Sequence, residues 1–513
     1  MVFSNLRGPL LNAAITVASG AGFLLFGYDQ GVFGGILTNN NFLELFDHPS
    51  PTVQGQIVAT YDIGCIFGCI LSMFIGDVLG RRRSILIGCS ILIVGAVIQT
   101  SANGTAQMIV GRIVAGLGNG LNTTAIPIWQ VETAKPSHRG ALIVFQLVTN
   151  IFGISLTNWM NYGFSYLPNS EVSWRFPLAF QIFFAFLTMF LVLFLPESPR
   201  WLILKDRMEE ATAITGRLWA KPANDPEVLA EVQMLAENVA HEVAEQRVPV
   251  REIFHSGKQQ TLRRILLGMG TQFMQQIGGT NVVATYLPVV LTRSFSMSKR
   301  LSLILSATVS IWLMIWGAIC ALFIDNVGRK KLMTYGAFFE SICFAMVAAG
   351  LAVGSKAMLI VAVVFIYLYY TFYGLSFLSI PFMYPAEINS QRMRNIGTSL
   401  STMTNWCLCY VVVCVTPPGI ANLGWRYYLI YAITNMCFVP LVHFFYVETA
   451  QLSLEEIDRV FEIKYEGGSS ITYKQATKMA RACRPLDAEK SDNGIEVDEV
   501  EIVGAEEKPS APN

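Results

Sequence analysis

The chain has 513 residues, 53% of them hydrophobic and 14% charged, with 36 basic and 36 acidic side chains. Soluble globular chains carry about 25% charged residues, and a balanced charge builds no field that would attract nucleic acid or acidic lipid. Apolar runs of about twenty residues recur from Leu10 to Tyr446, so a soluble enzyme, a nucleic-acid binder and a disordered scaffold are excluded, leaving an all-α integral membrane protein.

A helix needs about 20 apolar residues to cross the hydrocarbon core. In chain order this predicts spans near 10–36, 53–75, 84–102, 107–129, 141–163 and 177–196, then near 262–292, 302–324, 332–353, 358–384, 396–416 and 425–446. The first stretch contains Asp29 and lacks a short apolar core followed by a small-residue cleavage site, so it reads as a span and not as a removable signal. The expectation is twelve transmembrane helices in two six-helix halves, residues 1–196 and 262–447. A charged, helix-prone cytoplasmic linker over 197–261 joins them, and a tail over 448–513 becomes disordered beyond about Arg484. Lys and Arg gather in alternate short loops: Arg81-Arg82-Arg83, Lys135 and Arg139, Arg200 to Arg207, Arg329-Lys330-Lys331, Arg392 and Arg394. That places both termini in the cytoplasm, with Arg293, Lys299 and Arg300 as exceptions. Nine of the ten cysteines lie in apolar runs, where cysteine acts as a small hydrophobe, and no zinc-type spacing occurs.

Sparse polar motifs repeat between the halves. Gly76-Asp77-Val78-Leu79-Gly80-Arg81-Arg82-Arg83 matches Asp325-Asn326-Val327-Gly328-Arg329-Lys330-Lys331, an offset of 248 residues from 77 to 325. Glu132 with Arg139 matches Glu387 with Arg394 at an offset of 255, and Glu197 with Arg200 falls where Glu448 does at an offset of 251. Positive charge alone would orient spans without any fixed pattern. The added carboxylates point to ion pairs across helix ends, which would latch the halves together at the cytoplasmic face in one state and part in the other. Duplicated bundles rocking about a central site are the basis of alternating access.

These motifs, with Gly27-Tyr28-Asp29, Gly111-Arg112, Pro196-Glu197-Ser198-Pro199-Arg200, Gln275-Gln276 before Asn281, and Glu448-Thr449, resemble the sugar porter family of the major facilitator superfamily. The resemblance covers nearly all of 10–460 and is strongest to fungal proton-linked sugar and polyol carriers, to which Asn122-Thr123 and Trp129-Gln130 contribute.

An ionisable group at membrane depth is costly and points to function. Asp29 stands in an apolar, glycine-rich run, where Gly27, Gly31 and Gly35 would let another helix approach closely. Arg112, the one charge inside span four, is its natural partner. The resemblance implies that Asp29 and Arg112 couple protonation to sugar binding, since facilitators carry a neutral residue at the Asp29 position; a permanent structural ion pair is the alternative. In span seven Gln272, Gln275 and Gln276 share a helix face. Asn281, nine residues beyond Gln272, can join that face only if the helix breaks at Gly278-Gly279. Amides both donate and accept, which suits a neutral polyhydroxylated ligand; helix-to-helix adhesion would use the same residues.

Other family sugar contacts are partly replaced. The resemblance puts Gln146 beside the usual glutamine position (Leu147), Leu313 and Cys409 at asparagine positions and Phe382 at a tryptophan position, and it retains Asn405 and Trp406. Phe26, Phe382 and Trp406 would offer aromatic faces to a sugar. Asp62 and Glu340 are read as polar helix contacts without a chemical role. With Arg112 as the one buried cation foreseen, an acidic sugar is not expected.

The leading expectation is a secondary active transporter in the plasma membrane, importing a neutral sugar or polyol with a proton and acting as a monomer. A proton-independent facilitator is the alternative, and a carrier-like nutrient sensor a further one, disfavoured by the modest tail. No Gly-x-x-x-x-Gly-Lys-Ser/Thr loop occurs to cradle a nucleotide phosphate. No enzyme activity, cofactor, metal or nucleic-acid partner is expected.

Overall fold

The computed structural model describes residues 6–134, 139–167, 170–245, 257–390, 393–452, 454–468 and 470–482. All regular elements among them are helices. The first half comprises α1 (Pro9–Ile36), short α2 (Asn40–Leu45), α3 (Pro51–Leu79), α4 (Arg81–Thr100), α5 (Thr105–Thr133), α6 (Arg139–Phe164) and α7 (Val172–Phe194). The linker folds as α8 (Pro199–Leu204), α9 (Met208–Trp219) and α10 (Pro226–Glu245). The second half holds α11 (Thr261–Ile277), α12 (Thr280–Ala284), α13 (Leu287–Arg293), α14 (Lys299–Val327), α15 (Arg329–Val353), α16 (Lys356–Leu375), α17 (Ile380–Ile388), α18 (Arg394–Leu423) and α19 (Arg426–Phe445). Two more helices, α20 (Leu454–Glu466) and α21 (Tyr473–Ala482), follow in the tail.

Ten helical stretches among the described residues are long and apolar enough to cross a membrane. The two remaining spans depart from a plain apolar helix for physical reasons. α5 carries Arg112, Asn119, Asn122 and Gln130 on buried positions and packs against α1, α3 and α4, so its polar groups face protein and not lipid. Span seven is divided into α11, α12 and α13. Its first break falls at Gly278-Gly279, where Gly279 adopts φ 95°, a conformation open to glycine. The Gly278 carbonyl released by the break accepts from Asn435 Nδ2 at 3.0 Å, so the irregular backbone stays hydrogen-bonded within the protein. Span ten is interrupted in the same way between α16 and α17. Span six opens at Val172, ahead of the boundary expected at Pro177, and the Pro177 carbonyl accepts from the Tyr28 hydroxyl at 2.8 Å, tying α7 to α1.

Two packing pairs join the halves, α3 with α18 and α6 with α14. Spans two and eight are repeat-equivalent, as are five and eleven, so these contacts are one interface used twice. At the end of the bundle away from the linker, Gly34 meets the Thr285 carbonyl and Pro288, Gly55 meets Cys414 and Pro417, and Arg293 Nη2 donates to Gln54 Oε1 at 3.0 Å. The tail seats α20 on the second half. Arg264 is 1% exposed and pairs with Asp458 at 2.6 Å, while its guanidinium lies over the Phe461 ring at 4.1 Å. A second buried cation therefore exists, and it is already neutralised. Residues 483–513, for which disorder was expected, and Cys483 among them lie outside the described residues.

Gly27, Gly31 and Gly35 all face α6, against Asn150, Ile154 with Thr157, and Asn161. A Cβ at Gly27 would overlap the Asn150 carbonyl backbone, which cannot swing aside as a side chain would. Gly27→Ala should therefore destabilise the first half by about 1–3 kcal/mol, seen as a lower midpoint of thermal unfolding in detergent. An unchanged midpoint would mean that the α1–α6 contact is looser than described.

Candidate functional site: a buried ion pair and an amide cluster

Asp29 and Arg112 meet in the interior. Arg112 Nη1 donates to Asp29 Oδ1 at 2.8 Å, with the side chains 2% and 0% exposed. Nη2 donates to the Val58 carbonyl at 3.1 Å, and the guanidinium lies over the rings of Phe33 at 4.6 Å and Tyr61 at 4.3 Å. Desolvating two ions costs several kcal/mol each unless hydrogen bonds and ring faces offset it. Here the offset is incomplete: Asp29 Oδ2 and Arg112 Nε have no hydrogen-bond partner and are shut off from solvent. Tyr61, one aromatic among many in the apolar runs, lies beside that carboxylate.

The amides form a separate cluster in the second half. Asn405 Nδ2 donates to Gln272 Oε1 at 2.6 Å and to Gln275 Oε1 at 2.9 Å. Gln272 Nε2 donates to the Pro381 carbonyl at 2.7 Å, and Gln275 Nε2 to the Phe377 carbonyl at 2.8 Å, both at the interruption of span ten. Asn281 Nδ2 donates to Gln276 Oε1 at 2.6 Å and contacts Cys409 Sγ at 3.4 Å, so the break brings Asn281 back to the glutamine face. Phe26, one turn before Asp29, meets Trp406 across the two halves at 5.7 Å between ring centroids. Gln146 stands apart in the first half, bonded to Gln130. Phe382 is 43% exposed and has no ring contact with Phe26 or Trp406. Asp62 is buried with its carboxylate toward Cys409, and Glu340 is buried with Oε1 accepting from Ser376 at 3.2 Å at the edge of the span-ten break.

The repeated charges build the same structure twice. Arg81 binds Asp77 at 2.8 Å and clasps Glu132 through Nε and Nη2 at 3.1 Å each. Arg329 binds Asp325 at 2.6 Å and Glu387 at 2.8 Å. Glu197 accepts from the backbone N–H groups of Arg81 and Arg82 at 3.1 and 3.2 Å, and Glu448 from those of Arg329 and Lys330 at 2.8 and 3.2 Å. Each glutamate caps a helix N-terminus, where a negative charge is favoured. Gly80 and Gly328, at φ 89° and 97°, leave room for the arriving carboxylate. Arg82 donates to the carbonyls of Val192, at 3.0 Å, and Leu193, and Arg200 Nε lies 4.0 Å from Glu132. Arg394 opens α18; the side chain of Arg139 lies outside the described residues. The expected latch from one half to the other is not what the bonds above form: among the described residues, Arg81 with Asp77, Glu132 and Glu197, and Arg329 with Asp325, Glu387 and Glu448, each pair within one half, because the backbone donors and the arginine partner belong to adjoining helices of that half.

The family model described as sugar (and other) transporter matches residues 14–461. The chain belongs to the sugar porter family of the major facilitator superfamily and is a multi-pass membrane transporter. It is 40% identical to the MFS-type transporter oryC of Aspergillus oryzae, over 90% of this chain and 87% of that one. It is 39% identical to the sugar transporter STL1 of Saccharomyces cerevisiae, over 90% and 84%. The inward-open structure of the xylose transporter XylE from E. coli shares the fold, with a TM-score of 0.73 at 23% identity over 87% of this chain and 99% of that one.

Removing one member of the buried pair strands the other. Arg112→Gln should cost about 3–5 kcal/mol, and Asp29→Asn combined with Arg112→Gln less than the two single changes together. Thermal unfolding of the four proteins closes the cycle; additive losses would show that the two groups do not interact.

Proposed function

We propose that this protein is a secondary active transporter that imports a neutral sugar or polyol together with a proton by alternating access. The observation that carries the reading is the half-satisfied Asp29–Arg112 pair, three residues from the Phe26–Trp406 contact that bridges the halves. In this state the acid is paired. A proton on Asp29 would cancel its hold on Arg112 and free the guanidinium, coupling a charge change in α1 to the seam where the solute would sit. The amides of Gln272, Gln275, Gln276, Asn281 and Asn405 offer donors and acceptors without net charge, which favours a polyhydroxylated, uncharged solute. The name of the Saccharomyces relative supports the sugar class.

The reading carries the remaining assignments with it: a monomer in the plasma membrane, both termini cytoplasmic, with bundles at 1–196 and 262–447, a linker at 197–261 and a tail from 448. With the linker inside, contacts between the halves at the far end and, among the described residues, charge networks that stay within each half at the linker end support reading this as an inward-facing state. A facilitator would need no carboxylate at the pair.

Expression in a cell lacking sugar uptake, with hexoses, pentoses, disaccharides and polyols offered in turn, tests this. Uptake should rise as external pH falls, because the proton is a co-substrate, and adding the transported solute should alkalinise the medium. In Asp29→Asn, accumulation against a gradient should vanish and the pH dependence flatten while solute exchange persists. Accumulation retained in that variant would remove the proton role and leave the facilitator.

A further inference from the structure

The linker makes a second polar site that the transport cycle does not use. Helices α8 and α9 lie under the ends of α4 and α7 and frame an open cavity of about 510 Å³. Arg82, Arg83, Arg207 and Arg217 line it, together with Glu197 and Glu210. An accounting of these six charges leaves an excess. Glu197 is taken by backbone N–H groups, Glu210 is held by Arg207 through two bonds of 2.8 and 2.6 Å, and Arg82 is spent on the carbonyls of Val192 and Leu193. Among the described residues, Arg83 and Arg217 have neither a side-chain hydrogen bond nor an ion pair, and Arg217 Nε is withheld from solvent without a partner.

Arg83, exposed on α4, and Arg217, half-buried on α9, both line this cavity with their guanidinium groups unspent; together they favour an anion, and forked N–H donors match the oxygens of a phosphate. The cavity's position selects the carrier of that phosphate. It sits at the linker ends of two spanning helices, and beside it α7 turns Phe190, Leu193 and Phe194 outward. A headgroup in the cavity would therefore leave its acyl chains on an apolar helix face. Basic pockets between helices at the cytoplasmic surface bind anionic headgroups through the same chemistry.

We propose that this cavity binds the phosphate of an anionic phospholipid, with Arg83 and Arg217 as its ligands, and so ties the linker to the membrane. The site is independent of which solute is carried and of proton coupling. Native mass spectrometry of the full chain, titrated with phosphatidylinositol monophosphate or phosphatidylcholine in mixed micelles, tests it. The anionic lipid should be retained preferentially, and Arg83→Gln with Arg217→Gln should weaken retention by roughly tenfold with the lipid-free unfolding midpoint unchanged. Arg83→Gln alone, at the more accessible position, gives the same direction if the double variant is poorly folded. Soluble inositol bisphosphate, which lacks acyl chains, should compete weakly; full displacement by it would uphold the phosphate site and overturn the lipid as its source. Equal retention of both lipids, or identical retention by wild type and the variants, would overturn the proposal.

Discussion

The constraint on which the first half rests is that an ion pair taken out of water must find all its compensation inside the protein. Asp29 and Arg112 meet at 2.8 Å only because α1 and α5 are held together by the helices around them. The glycine face of α1 brings α6 to backbone contact, and Tyr28 reaches the α7 carbonyl beside it. α5, the most polar span, is enclosed by α1, α3 and α4 and so can carry an arginine at this depth. The compensation is left short by one carboxylate oxygen and one guanidinium N–H. A purely structural pair gains nothing from that deficit, whereas a pair that must change protonation needs an oxygen in reserve.

The duplicated charge networks solve a different problem. Arg81 and Arg329 each gather carboxylates from neighbouring helices of one half, and Glu197 and Glu448 each return from the chain after the sixth or twelfth span to cap the N-terminus of the third or ninth. The result ties spans two, three, four and the segment after six into one unit, and then does so again. A bundle braced in this way moves as a body, so relative motion is directed to the seams between α3 and α18 and between α6 and α14. The networks therefore act as braces within each half in this state, and the repeat in the sequence is a repeat of mechanical parts.

Much of this was legible because it depends on spacing. Apolar run length located the spans, the Gly278-Gly279 step located the break, and three offsets within a few residues of one another located the networks. What was not legible depends on partners that spacing does not reveal. The bonds from Gln272 and Gln275 go to backbone carbonyls of Pro381 and Phe377, which have no side-chain signature. Phe33 and Tyr61 enclose Arg112 from two different helices, and in sequence each is one more aromatic in an apolar run. The seating of the tail was not legible for a different reason. Leu454 to Glu466 does carry an amphipathic pattern, with Ile457, Val460 and Phe461 buried on one face, but the charges around it resemble a solvated segment until Arg264 is seen to receive Asp458.

The two interrupted helices of the second half are joined through the same amides that would recognise a solute. Span seven supplies Gln272 and Gln275, span ten supplies the carbonyls of Phe377 and Pro381, which have no helical donor because the residues four positions on, Pro381 and Pro385, lack an N–H, and Asn405 of α18 spans both glutamines. A solute hydroxyl that accepts from either glutamine N–H in place of Pro381 or Phe377 removes a bond that holds span ten in its present position. Recognition and helix movement then draw on one set of hydrogen bonds. The carbonyl of Pro381 or Phe377 that loses its donor would cost about 1–3 kcal/mol if left buried and unpaired, so the helix is released cheaply only where the same hydroxyl donates to that carbonyl as it accepts from the glutamine, which ties release to binding of a hydroxyl-bearing solute.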